Sequence, residues 1–173
     1  MNTPRRILFL SLAGAGDTLL ATPLIAEVRR HFPQARIEVL TMQGRAPREV
    51  LAHNPAVDEV LGFNFMAAGR LRSVIECLRL RRRRYDLSFT VMPQNRLEYN
   101  LITFLIGARR RIGFKFACDC GARPHLWLTD VVPEDRRLHV VENNLRLLTE
   151  GLRLPLSGDA VPDKDYELWA IEG

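Results

Sequence analysis

The chain has 173 residues, enough for one well-buried domain and too few for two ordinary ones. Hydrophobic residues at 47% and charged residues at 26% argue against disorder, and no apolar run approaches the roughly 18 to 20 residues of a membrane span. The net charge of +5 favours anionic partners (phosphorylated sugars, nucleic acid or an acidic membrane face) without choosing among them.

Arginine supplies almost all of the basic charge; Lys115 and Lys164 are the only lysines. Three cysteines, Cys77, Cys118 and Cys120, are an odd number without zinc-type spacing. They make no disulfide framework, and a reducing cytoplasm is the simplest setting.

At the start, Arg5-Arg6, an apolar Ile7 to Leu12 and Ala13-Gly14-Ala15 imitate a secretory signal. The apolar stretch falls short of the lower limit of about 7 residues for such a leader. A buried parallel strand ending in a glycine turn accounts for the same letters and is the preferred reading.

Strand-length apolar runs then alternate with helical segments. Arg5 to Ser11 reads as a strand covered on both faces. Leu12 to Gly16 is a small-residue turn, and Asp17 opens a helical segment to His31 with an adjustment near Thr22-Pro23. Arg36 to Met42 is the second strand, Pro47 to His53 a short helix, and Val57 to Phe63 the third strand. Ala68 to Arg84 is a helix with Leu71, Val74, Ile75, Leu78 and Leu80 near one stripe. Its Arg81 to Arg84 run suits the negative pole of the helix dipole.

Leu87 to Met92 is the fourth strand. Asn95 to Gly107 is a helix with Leu97, Leu101, Phe104 and Leu105 in register. Arg111 to Phe114 and Leu126 to Val132 are the fifth and sixth strands. Arg137 to Gly151 is a helix with Val141, Leu145 and Leu148 inward and Gly151 as its C-cap. Crossovers of this length imply an α/β, Rossmann-like, doubly wound and mostly parallel sheet over residues 1–154. Residues 155–173 read as a linker, rich in Pro, Gly, Ser and Asp, leading into a strand-like Tyr166 to Ala170 that opens a further, missing domain.

In an open parallel sheet, ligands bind beyond the carboxyl ends of the strands where strand order reverses. The loop after the first strand, Leu12-Ala13-Gly14-Ala15-Gly16-Asp17, is the first candidate. It is a poor dinucleotide fingerprint: Leu19 stands at the third glycine, and Thr41 and Met42 stand where an acidic ribose ligand belongs. It is no phosphate loop, because the lysine is missing. Asp17 is the positive signal, a carboxylate at a helix N-terminus facing the crevice, with glycines before it to permit a sharp turn and open space. An N-cap is the common alternative use of such an aspartate.

Residues Ile7 to Pro23 (ILFLSLAGAGDTLLATP) resemble the opening of glycosyltransferase family 9, the ADP-heptose–lipopolysaccharide heptosyltransferases. The resemblance continues through Arg36 to Leu40, Asn54 to Val60 (NPAVDEV), Tyr85-Asp86-Leu87, Gly107 to Phe114 (GARRRIGF) and His139 to Leu148 (HVVENNLRLL), covering nearly all of residues 5 to 152 in order. It implies a GT-B architecture of two Rossmann-like domains. This chain would be the acceptor-binding half, and a missing C-terminal domain would bind the nucleotide-sugar donor.

The resemblance also implies that Asp17 is the general base of an inverting transfer of heptose from an ADP-heptose type donor to a lipopolysaccharide core. Gly14, Gly16 and Thr18 would line the acceptor site beside it. No metal and no cofactor are required if helix N-termini and basic groups of the donor domain hold the diphosphate. The setting is cytoplasmic, with a peripheral contact at the inner face of the inner membrane, and the fragment alone is expected to be inactive.

Arginines at strand ends are plausible clamps for the anionic acceptor: Arg45 and Arg48 after the second strand, Arg96 after the fourth and Arg123 before the sixth. Ser11 departs from the family, whose members often carry a basic residue there. The runs Arg81 to Arg84 and Arg109 to Arg111 read as solvated faces; no aromatic interleaving supports nucleic acid. Cys118-Asp119-Cys120 reads as loop thiols, and His139 as a structural residue opening a helix. The alternative to an enzyme half is a stand-alone Rossmann-like or flavodoxin-like module that binds an anionic ligand without catalysis.

Overall fold

Strand–helix alternation resolves into one six-stranded sheet in the computed structural model, which describes residues 3–93, 97–116 and 124–157. The strands are β1 (Arg6–Ser11), β2 (Arg36–Thr41), β3 (Glu59–Gly62), β4 (Leu87–Thr90), β5 (Arg110–Lys115) and β6 (Asp130–Pro133). Their spatial order is β3-β2-β1-β4-β5-β6, and every pairing is parallel. The winding reverses between β1 and β4, and the crevice outside the carboxyl ends of those two strands is where open parallel sheets bind their ligands.

Helices cover both faces: α1 (Ala15–Leu20), α2 (Thr22–His31), α3 (Arg45–Leu51), α4 (Gly69–Arg81), α5 (Leu97–Ile106) and α6 (Val140–Arg146). The last continues through a widened turn, Leu147–Leu152. Alternate residues of β1 serve the two layers. Ile7 and Phe9 pack with Leu24, Ile25 and Val28 of α2 and with Val141 and Leu145 of α6. Leu8 and Leu10 pack with Cys77 and Leu80 of α4 and with Ile102 and Ile106 of α5. A strand buried on both sides needs an unbroken apolar run, which Ile7 to Leu12 supplies. The expected break near Thr22-Pro23 is present: α1 ends at Leu20, and α2 begins at Thr22 with Pro23 in its first turn, where a missing N–H costs nothing.

Several expectations shift. The sixth strand starts at Asp130, not Leu126, because Pro124–Trp127 forms a tight 3₁₀ turn. That turn is held by Arg111, whose Nε donates to the Trp127 carbonyl at 2.7 Å. Gly151 is not the C-cap of the last helix; the left-handed residue is Arg153, at φ 59°. Gly151 is small for another reason, since a Cβ there would come within 2.6 Å of Ile112 Cγ2.

The beginning of the expected linker is docked on the domain. Leu154 and Leu156 pack against the core, His31 Nε2 lies 2.8 Å from the Pro155 carbonyl, and the Ser157 N–H donates to the buried Glu27 Oε2 at 2.9 Å. The rest of the expected linker and the strand-like Tyr166 to Ala170 lie outside the described residues, as do Cys118 and Cys120.

The apolar stripes of α4 and α5 point the other way from a simple amphipathic reading. Of α4, only Cys77 and Leu80 are buried, while Leu71, Val74, Ile75 and Leu78 are exposed. In α5 the buried set is Asn100, Ile102, Thr103 and Ile106, and Leu97, Leu101 and Phe104 are exposed. The reason lies partly in β4, whose Thr90 hydroxyl sits 3.2 Å from that of Thr103 and draws the polar stripe of α5 onto the sheet.

Candidate functional site

Two buried hydroxyls build the turn at the carboxyl end of β1. Ser11 Oγ and Thr18 Oγ1 lie 2.9 Å apart, and Thr18 Oγ1 also donates to the Gly14 carbonyl at 3.1 Å. Thr18 is fully buried, so its side chain braces the turn from beneath. Ser11 is equally enclosed. That explains the small residue at this strand end, since a basic side chain would have to bury its charge here.

Gly14 is the N-cap of α1, with extended backbone at φ −88° and ψ 177°. Asp17 is the third helical residue, not the cap itself, and its Oδ2 accepts the Gly14 N–H at 2.8 Å. This reaching-back geometry satisfies one of the orphan donors at the helix start. Asp17 is half-buried, and its other carboxylate oxygen has no hydrogen-bond partner among the described residues.

Neither glycine of the loop needs its conformational freedom: among the described glycines, positive φ occurs at Gly69 and Gly107 and not at Gly14 or Gly16. A Cβ on Gly16 would meet nothing within 4 Å, and one on Gly14 would touch only Asp17 Oδ2, at 3.4 Å. The turn does not require glycine at either position. What the two residues provide is bare backbone beside a carboxylate.

The next loop contributes the cations. α3 packs against α1, and an open depression of about 570 Å³ is lined by Gln43, Gly44, Arg45, Arg48, Glu49 and Ala52. The Arg45 side chain is 91% exposed, with Nε 2.5 Å from Glu49 Oε1. Arg48 lies across the end of β3, where Gly62 makes room: a Cβ there would come within 3.1 Å of the guanidinium. Arg96 and Arg123 lie outside the described residues, so only Arg45 and Arg48 of the expected clamps are seen together.

The second lip of the crevice is held by a residue that sequence reading passed over. Asn144 in α6, completely buried, accepts the Met92 N–H beyond β4 at 2.9 Å and donates Nδ2 to the Leu20 carbonyl of α1 at 3.2 Å. Its neighbour Asn143 pins the loop before α6 through the Asp135 N–H and carbonyl, at 3.1 and 2.8 Å. The available signal was two adjacent amides on a helix face otherwise rich in Val and Leu. His139 caps α6, its Nδ1 accepting from the Val141 N–H at 3.3 Å while its own N–H donates to Glu142 at 2.8 Å.

A second charged cluster occupies the opposite, amino edge of the sheet. Glu38, fully buried in β2, is engaged by Arg83 at 2.8 Å, Arg36 at 2.9 Å and the Tyr85 hydroxyl. Arg83 and Arg36 also hold Glu59 and pull its carboxyl down to about 2. Burial and the Glu38 carboxylate push the Tyr85 phenol far above its ordinary range.

The Arg81 to Arg84 run is therefore not simply a solvated face: Arg83 is a structural cation, and Arg81 Nη1 reaches the Leu105 carbonyl at 3.4 Å. Other family-like motifs serve the same edge. Asp58 Oδ2 accepts the Ile37 N–H at 2.6 Å, and Asp86 Oδ2 accepts the Arg5 N–H at 2.8 Å. Burial raises the Cys77 thiol to about 11. Among the described residues no group of three His, Cys, Asp or Glu side chains is placed to hold a metal ion.

No protein-family profile matches the chain. In sequence it is 30% identical over 141 residues to lipopolysaccharide heptosyltransferase 3 of Escherichia coli strain K12, a match covering 77% of this chain and 38% of that protein. The chain thus spans about two-fifths of the length of the curated relatives it matches. In fold it is similar to E. coli ADP-heptose lps heptosyltransferase II, with TM-score 0.69 and 22% identity over 87% of this chain and 44% of that one. It is also similar to E. coli heptosyltransferase WaaC with ADP-2-deoxy-2-fluoro heptose, with TM-score 0.70 and 17% identity over 94% and 52% of the two chains. A glycosyl transferase family 9 structure from Veillonella parvula has TM-score 0.68 and 20% identity over 87% and 42%.

Proposed function

Because the chain belongs to the glycosyltransferase family 9 heptosyltransferases, we propose that it forms the acceptor-binding half of a two-domain, inverting glycosyltransferase. The transferred sugar is a heptose, the donor a nucleotide-heptose of the ADP type held by a C-terminal domain, and the acceptor a lipopolysaccharide core precursor. The reaction takes place on the cytoplasmic side of the inner membrane.

In this reading Asp17 is the general base. An acceptor hydroxyl attacks the anomeric carbon from the side opposite the diphosphate; the new carbon–oxygen bond forms as the bond to the leaving diphosphate breaks. The hydroxyl proton becomes acidic only as that bond forms, and the carboxylate oxygen of Asp17 not engaged by Gly14 takes it. A single displacement inverts the anomeric configuration. Gly14 and Gly16 let the sugar approach the backbone beside the carboxylate, and Thr18 holds the turn in place. Arg45 and Arg48, in the depression beside α1, bind phosphate or carboxylate groups of the acceptor, with Arg96 and Arg123 completing the clamp.

The single observation that carries this reading is the half-exposed Asp17 carboxylate at the reversal point of the sheet with one oxygen uncommitted among the described residues. Its test is Asp17→Asn in the full-length protein, assayed with nucleotide-heptoses and truncated lipopolysaccharide cores. The amide keeps an acceptor for the Gly14 N–H, so stability should change by less than about 0.5 kcal/mol. Transfer should fall by about 10²- to 10⁴-fold, the usual worth of a positioned base. Turnover like that of the wild type would remove Asp17 from the mechanism. The 173-residue chain by itself is expected to give no turnover.

A further inference from the structure

Gly62 closes β3 in ordinary strand geometry, paired with Thr41 of β2, and its φ is not positive. Its backbone therefore accepts any residue, and a glycine in such a place marks a close approach instead. What approaches is Arg48 of α3. A Cβ on Gly62 would stand 3.1 Å from Arg48 Nη2, 3.3 Å from Nε and 3.6 Å from Cζ, the three nearest atoms outside residues 61–63. Cζ joins the two nitrogens, so its greater distance means that the Nε–Nη2 edge, not the flat face, is turned to Gly62. That edge carries two parallel N–H donors, the pair with which arginine grips a carboxylate or phosphate.

Neither donor is engaged: Arg48 is exposed and makes no hydrogen bond or ion pair among the described residues. Of the other charged side chains lining the depression, Arg45 and Glu49 are paired with each other. Arg48 is thus its uncompensated cation, and α3 packs against α1, the helix that carries Asp17.

We propose that the bare strand end at Gly62 and the Nε–Nη2 edge of Arg48 form an oxyanion seat. Oxygens of a phosphate or carboxylate on the acceptor lie against Gly62 and accept both N–H groups. Gly62 is the specificity-determining position, because any side chain there fills the seat; Arg45 adds its charge by cancelling that of Glu49. The link to the acceptor rests on the function proposed above, whereas the seat rests on the Arg48–Gly62 geometry.

The first test needs no catalysis. In the 173-residue chain, the NMR signals of Arg48 Nε–Hε and the Gly62 amide should shift saturably on titration with methyl phosphate or acetate, and the stronger of the two identifies the oxyanion. Gly62→Ala should weaken that binding about tenfold, and Arg48→Ala should abolish the shift at Gly62. Both variants should keep the unfolding midpoint, since the added methyl meets only the end of an exposed side chain.

In the full-length protein, Gly62→Ala should raise KM for the anionic core acceptor about tenfold with kcat nearly kept. In an Arg48→Ala background it should do nothing more, whereas a glycine needed only for packing would impair both backgrounds alike. Arg45→Ala with Glu49→Ala, which removes the ion pair together, should change KM by about twofold at most.

No shift with either anion, binding undiminished by Gly62→Ala, or additive effects of Gly62→Ala and Arg48→Ala would overturn the seat. Anion binding in the chain with an unchanged KM would overturn its assignment to the acceptor. Asp17→Asn should leave the anion titration unaltered, so failure of the seat and failure of the catalytic assignment are read separately.

Discussion

Asn144 accepts the Met92 backbone N–H at 2.9 Å, and through its other amide end it reaches the Leu20 carbonyl. One buried side chain therefore ties α6 to both lips of the crevice, the chain beyond β4 and the end of α1. Asn144→Ala leaves a buried donor and a buried acceptor without that partner. Removing a partner of this kind typically costs about 1–3 kcal/mol. Chemical denaturation should show a loss in that range, and amide exchange at Met92 should accelerate more than exchange in β2. An unchanged midpoint would mean that water or a neighbouring group takes over both bonds.

Acid stability should report the amino-edge network. The carboxyl of Glu59 is held near 2 by the Arg83 and Arg36 guanidinium groups, below its ordinary value of 4.5. A carboxyl whose folded value is depressed contributes fully above its unfolded value and loses that contribution as pH falls through the folded one. The Glu59 contribution should therefore drain away between about pH 4.5 and pH 2. Arg83→Met should flatten the pH dependence in that window. The same substitution should destabilise the protein near neutral pH by about 3 kcal/mol, the lower end for breaking a buried pair, because Arg36 and Tyr85 still serve Glu38. Thermal melts of both proteins between pH 2 and 7 provide the measurement.

Two glycine-to-alanine substitutions should diverge. At Gly16, inside α1 with open space around the added methyl, alanine should be neutral or stabilising by up to about 1 kcal/mol. If the acceptor passes close to that backbone, Gly16→Ala should nonetheless raise KM in the full-length enzyme. At Gly151 the methyl meets Ile112 Cγ2 at 2.6 Å, and overpacking should cost about 1–3 kcal/mol. Ile112→Ala should lessen the penalty of Gly151→Ala in a double-mutant cycle.

The parallel sheet was legible because its strands are covered on both faces and read as unbroken apolar runs, as Ile7 to Leu12 does. The break at Pro23 and the place of Asp17 in the first turn of the helix after β1 were legible for equally local reasons. Side-chain direction was not. Hydrophobic periodicity locates a stripe but does not say which stripe meets the sheet, and in α5 the buried positions include Asn100 and Thr103. Asn144 was missed because its two partners, Met92 and Leu20, lie 52 and 124 residues away in sequence. Arg83 was read as a solvated cation because its partners, Glu38 and Glu59, sit on two other strands.

The enclosed Ser11 hydroxyl bears on how this crevice could diversify. With that position locked to Thr18, a new cation cannot simply be installed at the tip of the central strand; a lysine there would displace the turn that carries Asp17 before it met any ligand. On the acceptor site proposed above, changes in anion preference would fall on the exposed surface of α3, where Arg45 and Arg48 can be exchanged at little structural cost. On the function proposed above, catalytic geometry and ligand choice would sit on separate pieces of backbone, and one could drift while the other is kept.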